Sequence, residues 1–226
     1  MEKEHQPLPT CDIMGVHIAV TDMEKTKALI ARNLQTWRGR YICVANVHTT
    51  VTASRDAAYR AVQNGAVLAL PDGGPLSQYS RRKGFSNAAR VTGPDLMREL
   101  LRRKIETAYP GAVIAGMVSP PFRALTPEED AAMVARINAA KPDLVWVGLG
   151  APKQERWMAD HQGAVQALMI GVGAAFDYEA GNIRRAPQWM QRCSLEWLYR
   201  LLQDPRRLLG RYLSTNLRFL WWTCRH

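Results

Sequence analysis

One turn between an apolar strand and a helix contains residues that suit an anion. Its members are Gly148, Gly150, Pro152, Lys153, Gln154 and Glu155. Proline is expected as the first helical residue, because the first amides of a helix have no intrahelical partner. Those free amides, the helix dipole and the Lys153 ammonium then face one point, which suits a phosphate or diphosphate. The same residues also suit an ordinary turn with a solvated first helical turn, and both interpretations stay open.

Asp72 is the best candidate for a general base. It lies between Pro71 and Gly73, at the end of a strand that should be buried. Burial there would raise the pKa of the carboxyl towards the range in which it can take a proton at neutral pH. Pro-Asp-Gly-Gly is also favourable turn chemistry, so a structural aspartate is the alternative.

Polar residues also follow the strand that precedes the Asp72 strand in the chain. Asn46, His48 and Thr49 come directly after an apolar run that begins at Tyr41. His48 is the only histidine near the predicted strand ends, and it is either a ligand contact or a structural side chain. All three are candidates for substrate binding.

Several classes of site are not supported by the sequence. The glycines do not follow the G-x-G-x-x-G spacing of dinucleotide-binding proteins, and there is no Walker lysine loop, G-x-S-x-G or H-E-x-x-H. No cluster of Asp, His and Cys has the spacing of metal ligands. We therefore expect neither an organic cofactor nor a metal ion.

The charge of the chain is concentrated at its C-terminal end. The 226 residues have a formal net charge of +10. The segment from Arg184 onward contains nine arginines but only two acidic residues, Glu196 and Asp204. Such an excess indicates an anionic partner, which could be a nucleotide, a nucleic acid or a lipid head group.

The four cysteines form no C-x-x-C pair, which favours reduced thiols in a cytoplasmic protein. There is neither a signal peptide nor an apolar run of ~20 residues, so we expect a soluble or peripheral protein.

The elements that position these residues alternate between strands and helices. The apolar runs that predict strands are 15–20, 41–46, 66–70, 112–117, 144–147 and 167–172. The periodic segments that predict helices between them are 23–34, 49–63, 94–105, 126–139 and 153–161. This order predicts an α/β fold with a doubly wound, mostly parallel, Rossmann-like sheet, whose ligands bind at the carboxyl ends of the strands. We divide the chain into a core over residues 1–183 and a helical appendage over 184–226.

The appendage is predicted to form amphipathic helices, interrupted at Asp204-Pro205, in which arginines are interspersed with Trp, Tyr and Leu. This composition is typical of a helix that lies in a membrane interface. Arg200, Arg207 and Arg211 could equally hold a diphosphate. A helical pair packed on the core with a basic outer face is the structural alternative.

Seven segments in this order resemble the WecG/TagA/CpsF family of bacterial glycosyltransferases over nearly the whole chain. The segments are Asn46-Val47-His48, Leu70-Pro71-Asp72-Gly73, Val91-Thr92-Gly93-Pro94-Asp95-Leu96, Ser119-Pro120-Pro121-Phe122-Arg123, Gly148-Leu149-Gly150-Ala151-Pro152-Lys153-Gln154-Glu155, Gly171-Val172-Gly173-Ala174-Ala175-Phe176-Asp177, and Arg185-Ala186-Pro187 with Glu196-Trp197-Leu198-Tyr199-Arg200-Leu201. Each segment alone is weak evidence, but their joint occurrence is specific.

The resemblance implies a metal-independent, inverting transfer of a sugar from a UDP-sugar to a polyprenyl-diphosphate-linked acceptor. N-acetylmannosamine, its uronic acid and glucose are the donor sugars that it allows. It implies that Asp72 is the base, that Gly73 and Gly93 lie in the substrate site, and that the C-terminal arginines close over the diphosphate. It places the protein at the cytoplasmic face of the membrane, against an anionic surface, and leaves open whether it forms a homo-oligomer.

The chain departs from the family pattern at two places. Val44 stands where many members have a threonine, and part of an expected βα unit, a strand with a glycine-rich turn, is missing near residues 103–112. The missing part motivates one alternative function, a nucleotide-binding scaffold without turnover. The basic appendage motivates another, a nucleic-acid-binding protein, but the chain has no recognisable nucleic-acid reader fold, so we expect no nucleic-acid partner.

Overall fold

The computed structural model describes residues 8–106, 113–121 and 123–226, except for the side chains of residues 101–106. Six strands occur in these ranges: β1 (Thr10–Ile13), β2 (Val16–Ala19), β3 (Tyr41–Ala45), β4 (Leu68–Pro71), β5 (Leu144–Val147) and β6 (Leu168–Gly171). The helices of these ranges are α1 (Met23–Asn33), α2 (Val47–Arg55), α3 (Ala57–Gly65), α4 (Gly74–Arg82), α5 (Gly93–Glu106), α6 (Pro127–Ala139), α7 (Lys153–Asp160), α8 (Ala175–Glu179), α9 (Gln188–Arg192), α10 (Glu196–Gln203) and α11 (Pro205–Arg225).

The predicted doubly wound α/β fold is confirmed. Strands β3 to β6 form one parallel sheet in the order β4-β3-β6-β5. On one face of the sheet, Val44 and Ile170 pack with Leu96 of α5, and on the other face Cys43 and Met169 pack with Met158 of α7. Both faces are therefore covered, which is why the strands are apolar throughout rather than alternating.

The strand predicted over 15–20 is confirmed as β2, but its pairing with β1 in a two-stranded antiparallel hairpin was not predicted. Its turn uses Met14 and Gly15, both with positive φ (56° and 86°), as a two-residue turn between twisted strands requires. The sequence Met-Gly lacks the Asn or Asp that usually signals such a turn. The hairpin packs on the core beside α2 and α3 through Ile13, Val16 and Ile18.

Two sequence predictions of secondary structure are wrong. The helix predicted over 49–63 is two helices, because Asp56 ends α2 and its side chain caps α3 by accepting the Tyr59 N–H at 2.9 Å. The strand predicted over 112–117 is absent in the part that the structure describes, 113–117, where Val113 and Met117 are exposed. Residues 107–112, where part of the βα unit is predicted to be missing, lie outside the described residues.

The C-terminal helices α9, α10 and α11 pack on the core. The break predicted at Asp204-Pro205 separates α10 from α11, and Asp204 caps α11. Phe219 of α11 is buried in the same apolar cluster as Val51 and Tyr79, and Trp222 packs on Tyr79 with 5.0 Å between ring centroids. None of the described helices is long and apolar enough to span a membrane.

Candidate active site

The carboxyl ends of the parallel strands open into a cavity of about 850 Å³, which we call the central cavity. Residues after β3, β4, β5 and β6 form its floor, and residues of α4, α8, α10 and α11 contribute to its walls. Its volume is within the range usual for small-molecule sites. The structure brings these sequence-predicted site residues to its lining: Asn46, His48, Thr49, Asp72, Gly148, Gly150, Pro152, Lys153, Gln154, Glu155, Arg200, Arg207 and Arg211. Gly73 and Gly93 are the two predicted residues that do not line it.

Asn46 is oriented by a capping box at the start of α2. Its side-chain oxygen accepts the Thr49 N–H at 3.1 Å, while the Thr49 hydroxyl accepts the Asn46 N–H at 2.9 Å. The Asn46 oxygen is thereby engaged, which leaves its NH₂ group as the part that can favour the ionised carboxyl of Asp72. The Thr49 side chain is buried and its hydroxyl also donates to the Asn46 carbonyl, so Thr49 acts by holding Asn46.

Asp72 is half-buried at the end of β4, facing the central cavity. Burial, followed by the nearby Glu196 carboxylate, raises the pKa of Asp72 to about 6, although Arg90, the Gly93 N–H and the Asn46 side chain oppose that shift by favouring the ionised carboxyl. A carboxyl with this pKa is ionised at neutral pH and more basic than an ordinary aspartate.

Gly93 lies so close to the end of β6 that no side chain fits at this position. A Cβ atom at Gly93 would lie 2.8 Å from the Val172 carbonyl oxygen, so any side chain would push α5 away from the end of β6. That displacement would also move the Gly93 N–H, which lowers the pKa of Asp72. Gly73 is the N-cap of α4, directly after Asp72. Both glycines therefore act through the backbone around the carboxyl rather than as part of the lining.

The turn before α7 carries the predicted anion-binding residues. Helix α7 begins at Lys153, as the predicted range 153–161 has it. Pro152 is its N-cap rather than the first helical residue, because Pro152 has a ψ of 4° instead of the helical value. The Gln154 side chain accepts the Gly173 N–H at 3.1 Å and donates to Glu155 at 2.7 Å. Burial raises the pKa of Glu155. This buried pair fixes the turn after β6 against α7 and leaves the exposed Lys153 side chain at the cavity wall.

Three buried polar atoms of the lining have no hydrogen-bond partner among the described residues. They are the Nδ1 atom of His48, the Nε atom of Arg211 and the Oε2 atom of Glu155. Burial and the adjacent Arg211 guanidinium lower the pKa of His48 to about 4, so the imidazole is neutral at pH 7. Because buried polar groups are normally hydrogen-bonded, a pair of unsatisfied nitrogens in one cavity indicates a polar ligand.

Sequence reasoning missed an ionic cluster beside Asp72, formed by Arg90, Asp95, Arg185 and Glu196. Arg185 forms a bidentate pair with Asp95, at 2.5 and 2.8 Å. Although burial alone would raise it, the pKa of Asp95 is lowered by its hydrogen bonds from Arg185 and Thr92. The charges come from segments about 100 residues apart, so only the fold reveals their pairing, although the Arg185 and Glu196 segments were among those that carried the resemblance.

The cavity has more cationic than anionic side chains. Lys153, Arg200, Arg207 and Arg211 line it together with Arg82 and Arg185, against Asp72, Glu155, Asp177 and Glu196. In the described parts of the chain, no group of three or more His, Cys, Asp and Glu side chains could hold a metal ion. The arrangement can bind a polyanion through these cations and accept a proton at Asp72.

Comparison with known proteins gives one family model and several relatives. The model described as the glycosyl transferase WecG/TagA/CpsF family matches residues 11–108 and 101–226. A relative from Bacillus subtilis (strain 168) is 32% identical over 194 residues, which cover 75% of this chain and 73% of the relative. Another from Bacillus spizizenii (strain ATCC 23059 / NRRL B-14472 / W23) is 30% identical over 75% of this chain and 74% of the relative. Each is named N-acetylglucosaminyldiphosphoundecaprenol N-acetyl-beta-D-mannosaminyltransferase.

Proposed function

The chain belongs to the WecG/TagA/CpsF family of glycosyl transferases, and on this basis we propose that it transfers N-acetylmannosamine from a UDP-sugar to a polyprenyl-diphosphate-linked acceptor. The two Bacillus relatives carry this sugar and a diphosphoundecaprenol-linked N-acetylglucosamine in their names. The observation that supports the proposal best is the position of Asp72, a basic carboxylate facing a cavity rich in arginine. UDP-glucose and a UDP-linked uronic acid are the competing donors.

Asp72 is the general base of the proposed reaction. Its carboxylate takes the proton of the acceptor hydroxyl while that oxygen attacks the anomeric carbon, and the bond from this carbon to the UDP oxygen breaks. Attack from the side opposite UDP inverts the anomeric centre. The Asn46 side chain and the Gly93 N–H favour the ionised form of the carboxyl, in which it can take the proton. Val44, which stands where many family members have threonine, is buried at the lining and offers no hydroxyl for this step.

The leaving UDP is neutralised by cationic side chains. Lys153 lies at the start of α7, and Arg207 and Arg211 reach the same cavity from α11. The unpaired Nε of Arg211 and Nδ1 of His48 would then find their partners in the nucleotide or its diphosphate. Charge-assisted hydrogen bonds of this kind stabilise the charge that develops on the leaving group, so we propose that no metal ion is required.

Helix α11 also presents a face suited to a membrane. Leu209, Leu213, Leu217, Leu220 and Trp221 are exposed along it. Arg206, Arg218 and Arg225 are exposed on the same helix, which suits an anionic surface. The helix thus packs on the core through Phe219 while its apolar outer face is free for the interface in which the acceptor lipid lies. We propose that the protein acts at the inner face of the cell membrane.

The experiment that tests the proposal compares binding with turnover in Asp72→Asn. This change keeps the size of the side chain and removes its basicity, so turnover of UDP-N-acetylmannosamine should fall by about two to four orders of magnitude. UDP affinity, measured by calorimetry, should change little. Asp143→Asn is the matched control, because Asp143 pairs with Arg38 and does not line the cavity. Wild-type turnover in Asp72→Asn would refute the assignment.

A further inference from the structure

Glu196, the first residue of α10, connects the C-terminal helices to the core through two arginines. Its carboxylate lies 3.1 Å from Arg90 and 3.5 Å from Arg185. Arg185 in turn holds Asp95 at the start of α5, and Arg90 lies 3.9 Å from the same aspartate. With two positive and two negative groups, this cluster is electrically balanced only while α10 is docked.

The cluster is adjacent to Asp72. The Val91 N–H, next to Arg90, donates to the carbonyl of Pro71 at 2.9 Å, which fixes the Arg90 segment beside the end of β4. Glu196 and Arg185 line the same cavity as Asp72. The side chains of Arg90 and Glu196 are only 22% and 20% exposed, so water screens their charges weakly.

Three ionisable groups face Asp72 from the elements packed around it. Glu196 from α10 raises the pKa of Asp72, and Arg90 from the segment before α5 lowers it. Tyr178 of α8 is the third, and burial raises the pKa of this tyrosine to about 12, so it is neutral. The two charged neighbours therefore act on Asp72 with opposite signs, although they form one ion pair.

We propose that Glu196 is a positioning residue that makes Asp72 a competent base only while α10 is docked on the core. The inference rests on the role of Asp72 proposed above. Docked, Glu196 engages Arg90 and Arg185, so these cations do not pair with Asp72, and its negative charge increases the proton affinity of the Asp72 carboxylate. When α10 leaves, Asp72 loses this neighbour, part of its burial and the group that occupies Arg90. The C-terminal helices then control the acid–base step as well as the binding of the diphosphate.

Two substitutions that break the same ion pair separate this electrostatic role from a structural one. Glu196→Gln removes the negative neighbour and should lower the pKa of Asp72 by about one unit, the usual effect of a nearby charge. Arg90→Gln removes the positive neighbour and should raise it by a similar amount. Arg90→Lys keeps the charge while changing the geometry, and should titrate like the wild type. A purely structural ion pair predicts shifts in the same direction for both neutral variants.

The pKa is measured directly by ¹³C NMR of the aspartate carboxyl carbons, with the Asp72 resonance identified by its absence in Asp72→Asn. The acidic limb of kcat/KM should move in parallel, to lower pH in Glu196→Gln and to higher pH in Arg90→Gln. Glu179→Gln is the control, because it breaks the Arg98–Glu179 pair outside the cavity. Unchanged Asp72 titration in both neutral variants, or shifts of the same sign, would overturn the inference.

The same data distinguish failure of the inference from failure of the proposed function. If Asp72→Asn kept full turnover, the assignment of Asp72 as general base would fail, even if the pKa of Asp72 shifted in opposite directions in Glu196→Gln and Arg90→Gln. If Asp72→Asn lost turnover but the pKa of Asp72 did not shift in those two variants, Asp72 would remain the base and Glu196 would not be its positioning residue. Thermal melts of each variant, at the pH of the titration, establish that the folded protein is being compared.

Discussion

The two faces of α11 should respond differently to the same kind of substitution. Phe219 is 4% exposed and packs with Val51 and Tyr79, whereas Leu217, two residues earlier, is 62% exposed. Truncating a buried phenylalanine to alanine costs about 3–5 kcal/mol, while a surface change stays within about 0.5 kcal/mol. For a chain of this size about 1 kcal/mol shifts Tm by roughly 2–4 °C, so Phe219→Ala should lower Tm by roughly 6–20 °C. Leu217→Ala should leave Tm nearly unchanged.

Binding to membranes should show the opposite pattern. Each exposed leucine that enters the interface contributes roughly 1.5–3 kcal/mol at full burial. The double variant Leu213→Ser with Leu217→Ser should therefore lose at least about tenfold in affinity for anionic vesicles, since ~1.4 kcal/mol corresponds to tenfold. Co-sedimentation measures this affinity, and differential scanning calorimetry measures Tm. If the double variant lowered Tm as much as Phe219→Ala and left vesicle binding unchanged, the outer face would be buried against protein, and the membrane interpretation would be refuted.

The remaining predictions concern the cavity and the helices around it. Lys153→Ala should weaken UDP binding in calorimetry, more at low salt than at high salt; unchanged affinity would make the turn structural. Because the pKa of Asp72 is raised to about 6, kcat/KM should fall about tenfold per pH unit below pH 6 as the carboxyl takes up a proton, and a flat profile down to pH 5 would contradict this. The same raised pKa means that Asp72 ionises less readily in the folded than in the unfolded protein, so the free energy of unfolding decreases as pH rises from about 4 to 6. The Tm of Asp72→Asn should therefore exceed that of the wild type at pH 8 but not at pH 4. Turnover should survive EDTA, and activity that required added manganese or magnesium would refute the metal-independent mechanism. Truncation before Pro205 should lower Tm because it removes Phe219 from the core; an unchanged melt would show that the core folds without α11.

Local chemistry was sufficient to predict the sheet and the floor of the cavity. Apolar runs at Tyr41, Leu144 and Leu168 predicted strands, and the polar residues after them converge because parallel strands end at one edge. Helix caps also depend on residues within one turn of the chain: Asp22 caps α1, and Thr126 with Glu129 forms the capping box of α6.

Features that depend on distant segments could not be predicted in the same way. The burial of Phe219 requires α11 to lie against α2, and nothing near Phe219 in the sequence distinguishes it from the exposed Leu217. The pairing of Arg90 with Glu196 joins residues 106 positions apart. The run Val113–Met117 was mistaken for a strand because apolar composition reports on burial, and burial requires a partner that these described residues lack.

The central claim is tested most directly by the product formed from defined substrates. The purified chain is mixed with UDP-N-acetylmannosamine and a polyprenyl-diphosphate-linked N-acetylglucosamine in anionic vesicles containing EDTA, and the lipid product is analysed by mass spectrometry and by NMR of its anomeric proton. We predict one N-acetylmannosamine added per UDP released, with the anomeric centre inverted. Release of UDP with free sugar, or no turnover with any of the three candidate donors, would contradict the account.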